Sequence, residues 1–285
     1  METKALTTTE QIVALREKTG AGMMNCKRAI EEAGGDFNKA LENLRKKGLA
    51  DAAKKSTRTT KEGMVAAYVS PDGKQGSIVE INCETDFVAK TEDFQKLVAT
   101  LAQKAAEGAF KAPEDAKDLI APIIGKLGEN MSLRRFERFQ LDGPGLLGHY
   151  VHPVGHKKGA FILIAAATEA AGKHEATLEL AKELGLQAVG MSPRWLQRAD
   201  VPAAEIEKEK EIYAAQVKAE GKPEASIPKI VEGKINKLFF QAFCLLDMVS
   251  MRDNKTPMTK LVADAAAKAG GALTVKRFVR FQLGE

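Results

Sequence analysis

Much of this sequence is written twice, and that duplication limits what the chain can fold into. The run Tyr68-Val69-Ser70-Pro71-Asp72-Gly73-Lys74-Gln75-Gly76 is answered by Tyr150-Val151-His152-Pro153-Val154-Gly155-His156-Lys157-Lys158-Gly159. Each joins an apolar strand to a Pro-and-Gly turn and then to a strongly apolar strand, residues 77–81 in one and 161–165 in the other. That is a hairpin signature. A helical stretch follows each hairpin, carrying Phe94, Leu97, Val98 and Leu101 in the first and Leu178, Ala181, Leu184 and Leu186 in the second. Farther on, Leu133-Arg134-Arg135-Phe136-Glu137-Arg138-Phe139-Gln140-Leu141 is matched by Val275-Lys276-Arg277-Phe278-Val279-Arg280-Phe281-Gln282-Leu283. Apolar and charged residues alternate in both, as in a strand with one buried face. The pattern predicts an α+β fold with two like subdomains, each a small antiparallel sheet with helices. The first is expected over residues 57–143 and the second over 144–200 and 249–285.

Residues 201–248 interrupt the second copy. They are helical in composition and break at Gly221-Lys222-Pro223. A Glu/Lys-rich arm near 204–217 and a second arm near 230–246 predict an antiparallel helical hairpin. Leu238, Phe239, Phe240 and Phe243 on the second arm read as a contact for a partner or for a second copy of the chain.

Ahead of the duplication, residues 1–56 read as a small helical bundle and a basic linker. Thr7-x-x-Glu10 and Thr8-x-x-Gln11 both fit a capping box before Ile12, Val13 and Leu15. A glycine-rich turn, Thr19-Gly20-Ala21-Gly22, separates this helix from a second one with Cys26, Ile30 and Ala33 on one face. Gly34-Gly35 ends the second helix, Asp36 caps a third, and Gly48 is read as its end. Such a bundle is too small for a catalytic cleft and suits binding. Arg45, Lys46, Lys47, Lys54, Lys55, Arg58 and Lys61 follow with no interleaved aromatics, so they read as a solvated linker rather than a base-stacking surface.

The run Asn82-Cys83-Glu84-Thr85-Asp86-Phe87-Val88-Ala89-Lys90 sits between an apolar strand and a helix expected from Thr91 to Ala106. Two readings of Phe87 stand at this point. It is either the first core residue of the helix, with Thr85 or Asp86 as N-cap, or a side chain presented outward at the tip.

The 44% hydrophobic content supplies a sizeable core, and a net charge of +5 is too balanced to argue for nucleic acid by itself. Cys26, Cys83 and Cys244 are far apart and show neither metal nor disulfide spacing, which fits a reducing compartment. The N-terminus lacks the apolar core of a leader, and no segment reaches the ~20 apolar residues of a membrane span. A cytoplasmic protein is expected. His149, His152 and His156 cluster at the second hairpin, but no carboxylate or cysteine completes a metal set. No nucleophile elbow, phosphate-binding loop or dinucleotide fingerprint is present, so no enzyme activity and no cofactor is expected.

Two long motifs carry a resemblance. Leu15-Arg16-Glu17-Lys18-Thr19-Gly20-Ala21-Gly22-Met23-Met24-Asn25-Cys26-Lys27 resembles the N-terminal signature of the translation elongation factor Ts family, and residues 82–90 resemble its second signature. Gly128-Glu129-Asn130, Gly221-Lys222-Pro223 and Ile230-Val231-Glu232-Gly233-Lys234 follow in the family's order. Asn25 stands where the family usually has Asp, and the C-terminal helical module that some members append is not expected here, the sequence running to Gly284-Glu285. The resemblance implies a guanine nucleotide exchange factor for the GTPase elongation factor Tu. It also implies a ubiquitin-associated-like N-terminal bundle, a duplicated core and an inserted coiled-coil hairpin. Thr85, Asp86, Phe87 and Val88 match the segment that dislodges the partner's magnesium. Arg16, Met23 and Met24 match a contact with its GTPase domain, and His152 matches a histidine facing another of its domains. A second reading, an RNA-binding translation protein, would use the basic linker and the basic strands 134–138 and 276–280.

Overall fold

The computed structural model describes residues 7–285, apart from the side chains at 49 and 51. Residues 1–6, read above as free of a leader, lie outside the described residues. Among the described residues the fold is α+β, with helices and two antiparallel three-stranded sheets. Three helices open it: α1 (Thr8–Thr19), α2 (Met23–Glu32) and α3 (Phe37–Lys55). Of the two candidate capping boxes, the one built on Thr7 and Glu10 forms. Leu15, Cys26, Ile30 and Ala40 make the bundle's own core.

Gly48 does not end α3, contrary to the sequence reading; the helix runs on to Lys55. Its glycine serves a helix crossing instead. A Cβ at Gly48 would stand 3.6 Å from the Ala121 carbonyl, and Gly125 faces it on the other side. Much of the expected basic linker is therefore the last turns of α3, lying on a helix of the first subdomain.

The first copy contains β1 (Glu62–Val69), β2 (Gln75–Cys83), α4 (Asp86–Ala89), α5 (Glu92–Ala106), α6 (Lys117–Leu127) and β3 (Met131–Gln140). The second contains β4 (Gly145–Val151), β5 (Lys158–Ala166), α7 (Glu169–Lys173) and α8 (Glu175–Met191). It resumes after the insertion with α12 (Met258–Ala269) and β6 (Leu273–Gln282). Strand order is β1-β2-β3 in one sheet and β4-β5-β6 in the other. Each central strand slips register at the corresponding place, Glu80/Ile81 and Leu163/Ile164. Two hairpin-helix-strand units with the same irregularity are the structural counterpart of the sequence duplication.

Each sheet buries one face under its own helices. Val79, Ile81, Phe94 and Leu101 centre the first core, and Ile162, Ile164, Leu180 and Leu184 centre the second. The other faces pack on each other through Val65, Ile78, Phe139 and Phe161, with the two phenylalanine rings stacked at 4.4 Å. A Cβ at Gly76 would fall 2.3 Å from Phe161, so only glycine lets the sheets approach this closely. Arg135 lies over the Phe281 ring at 4.3 Å and Arg277 over Phe139 at 4.4 Å. These are corresponding residues of the two copies making reciprocal cation–π contacts.

The insertion holds α9 (Ala203–Ala219), α10 (Ile227–Lys234), a π-helical segment (Ile235–Phe240) and α11 (Gln241–Phe243). The apolar surface expected on its second arm is largely absent. Phe239 and Phe240 are buried with Val201, Val231, Ile235 and Cys244, and Trp195 packs against them. Only Leu238 of that group is strongly exposed. No helix among the described residues is long and apolar enough to cross a membrane.

Candidate functional site

The strand β2 ends at Cys83, and the chain turns at once into the single-turn helix α4. Thr85 is its N-cap: its hydroxyl accepts the Val88 N–H at 3.3 Å. Thr91 then caps α5 afresh, so α4 and α5 are separate helices. Val88 and Ala89 turn inward to the first core, while Phe87 points out with 78% of its surface exposed. The reading of Phe87 as a core residue is thereby overturned, while Thr85 as N-cap is right. Val88 forms the tip's buried base and does not present itself to solvent.

Asp86 completes the tip. Its carboxylate accepts from the Lys90 ammonium at 2.6 Å, and this bond, with the Lys90 and Lys157 charges, holds its carboxyl below the usual carboxylate range. Lys90 also stands 5.9 Å from the Phe87 ring centroid. Below the tip, the Cys83 thiol donates to the Thr85 carbonyl at 3.1 Å. Burial, reinforced by the Glu129 and Glu62 carboxylates, pushes that thiol up to about 12. It is an inert packing group at neutral pH.

The second hairpin's turn lies beside this tip. The Val65 N–H of β1 donates to the His156 carbonyl at 2.7 Å, and Lys157 reaches Glu62 at 2.7 Å. Glu62 stands opposite Cys83 in register, two residues before Thr85. His152 is half-buried at the start of this turn, its Nδ1 3.2 Å from the Tyr150 hydroxyl. Val154 at the apex is 76% exposed. Sequence reasoning passed over Val154; the signal was an apolar residue between Pro153 and Gly155, where turns are ordinarily polar.

The bundle is linked to the helix that follows the tip. Arg16 is exposed near the end of α1, and Met23 and Met24 are exposed in the first turn of α2. The loop between them rests on Lys126, whose side-chain stem would meet a Cβ at Gly20 at 2.8 Å. Lys126 in turn pairs at 2.7 Å with Asp93, in the first turn of α5 just past the tip. Phe87, Val154, Met23 and Met24 are all exposed apolar side chains, on segments linked pairwise through Glu62–Lys157 and Lys126–Asp93.

The arginines on the basic strands of the RNA-binding reading are engaged internally, while Lys276 is exposed. Arg135 pairs with the buried Glu80 at 2.7 Å, Arg138 donates to the Ala106 carbonyl at 2.8 Å, and Arg280 pairs with Glu285 at 2.6 Å. Among the described residues, no three His, Cys, Asp or Glu side chains gather as a metal site.

The chain is a doubled α+β scaffold that carries a small helical bundle and holds one large aromatic, Phe87, out in solvent. The comparisons give the family. The family model described as Elongation factor TS matches residues 84–285. The elongation factor Ts of Clostridium botulinum (strain Alaska E43 / Type E3) is 42% identical over 287 residues, covering 97% of this chain and 92% of the relative. Those of a Nitratiruptor species and of Symbiobacterium thermophilum are each 43% identical, covering 96% and 98% of this chain and 92% of each relative. The chain belongs to the elongation factor Ts family.

Proposed function

We propose that the chain is the guanine nucleotide exchange factor for elongation factor Tu and acts in the cytoplasm during translation elongation. The exposed Phe87 on a capped, core-anchored tip is the observation that carries this reading. A GTPase holds GDP through backbone amides around the phosphates and through an octahedral magnesium that tolerates little change in ligand geometry. Phe87 enters the partner as an apolar wedge, and burying it contributes about 1.5–3 kcal/mol. That is enough to shift an equilibrium between nucleotide-holding and nucleotide-releasing states roughly 10- to 150-fold. Asp86 accompanies the ring and Thr85 sets the turn from which it projects.

In this reading Arg16, Met23 and Met24 grip the GTPase domain from a ubiquitin-associated-like bundle. His152, with Val154 beside it, faces a second domain, and the insertion is a coiled-coil hairpin. No bond is made or broken by this chain. It stabilises the nucleotide-free partner, and linkage requires that bound nucleotide weaken the complex by the same factor. The test is to mix the protein with elongation factor Tu carrying labelled GDP and follow release against excess unlabelled nucleotide. Release no faster than the spontaneous rate would refute the proposal.

A further inference from the structure

Phe87 has few contacts of its own to fix its direction, and α4 is a single turn of four residues, too short to hold itself. Its orientation must come from what grips its first residue. Glu129, in the loop between α6 and β3, accepts the Thr85 N–H at 3.0 Å with one carboxylate oxygen and the Thr85 hydroxyl at 2.6 Å with the other. The hydroxyl has one proton to give. Once it is committed to Glu129, the oxygen's lone pairs are turned to the Val88 N–H that caps the helix.

The grip is returned one residue away on each side. Glu84 accepts the Asn130 N–H at 2.6 Å, so two adjacent pairs, 84–85 and 129–130, each clamp the other's backbone through a carboxylate. Asn130 is buried, and its amide donates to the Arg58 carbonyl at 2.8 Å. The chain leaving α3 is therefore tied into the same knot. Charge-assisted bonds to backbone amides are short and directional, which suits them to setting an angle.

We propose that Glu129, braced by Glu84, is a positioning residue that presets the direction in which Phe87 projects. The inference rests on the reading of Phe87 as the wedge. A residue that merely stabilised the first subdomain would fray the sheet; one that positions the tip loosens α4 alone.

The test uses the full chain carrying Glu129→Gln, which keeps one acceptor, and Glu129→Ala, which keeps none, each also in a Phe87→Ala background. Amide hydrogen exchange should quicken at Val88, Ala89 and Lys90 while β2 and α5 keep their protection, more in the alanine variant than in the glutamine one. Maximal release of GDP from elongation factor Tu should fall about tenfold or more in Glu129→Ala, the scale on which a bond to a charged group counts. The half-saturating concentration should move less. In the Phe87→Ala background, Glu129→Ala should add no further loss. An equal further loss there, or unchanged protection at 88–90, would overturn the inference. If the unmodified chain releases no GDP, the wedge reading fails, and the amide exchange alone still decides whether Glu129 sets the tip. Should Glu129→Ala unfold, Glu129→Gln and Glu84→Gln carry the same comparison.

Discussion

Phe87 in the first copy and Ala170 in the second occupy the same position of the same motif. Thr85 and Thr168 cap their helices by accepting the Val88 and Ala171 N–H groups at 3.3 and 3.1 Å. Asp86 and Glu169 then pair with Lys90 and Lys173 one turn on. Val88 and Ala171 are both buried. The duplicated scaffold offers two like tips and equips one of them with an aromatic.

Moving the aromatic should therefore separate shape from site. Ala170 is exposed, so Ala170→Phe should change stability by less than about 0.5 kcal/mol. The double variant Phe87→Ala, Ala170→Phe should stay as inactive in GDP release as Phe87→Ala, because the bundle's loop rests on Lys126, which pairs with Asp93 in the helix that follows the first tip. Recovery of activity in the double variant would show that any exposed aromatic on this scaffold suffices.

The join between the copies gives a stability prediction. Glu80 is fully buried and holds Arg135 at 2.7 Å, Arg134 at 3.3 Å and the Gly284 N–H at 2.9 Å. Glu80→Ala should cost about 3 kcal/mol, the lower end for breaking a buried pair, since both arginines keep some solvent. Urea denaturation measures this; a loss under about 1 kcal/mol would mean that water replaces the carboxylate at little cost.

The duplication was legible because strand alternation, turn residues and apolar helix positions recur in order, and the caps at Thr7, Asp36 and Thr85 follow from local chemistry. Phe87 was legible through its motif and not through its spacing: it lies seven and eleven residues from the buried Phe94 and Val98, a helical phase that would bury it, and a new cap at Thr91 breaks that phase. What escaped depends on distant partners. Gly48 looked like a helix end because its role is to admit α6, which lies far along the chain. Phe239 and Phe240 read as surface on a regular helix, and the wider π-helical turn brings both inside. The basic strands looked free because Arg135 and Arg277 find their aromatic partners in the opposite copy. Glu129 was visible only as part of a motif, since its bond to Thr85 spans 44 positions.

Cys83 predicts a pH dependence. Its thiol is pushed up to about 12, above the usual thiol value near ~8.5, so folding favours the protonated form. The associated stability is fully present below the unfolded value and is lost as pH rises through the folded one. Stability should therefore decline between about pH 9 and 12, and Cys83→Ala should make that decline shallower. Chemical denaturation across this range checks it; an unchanged slope would mean that the thiol ionises freely in the fold.

The most direct measurement is the rate of labelled-GDP release from elongation factor Tu with the unmodified chain and with Phe87→Ala, alongside their thermal unfolding. The variant should melt within about a degree or two of the parent, because the side chain is 78% exposed. Loss of the wedge should cost about 2–4 kcal/mol of productive interaction, a fall in exchange of roughly 30-fold or more. A variant that unfolds readily yet exchanges normally in its folded fraction, or one that melts normally and releases GDP at the parent rate, would contradict the assignment of Phe87 as the wedge.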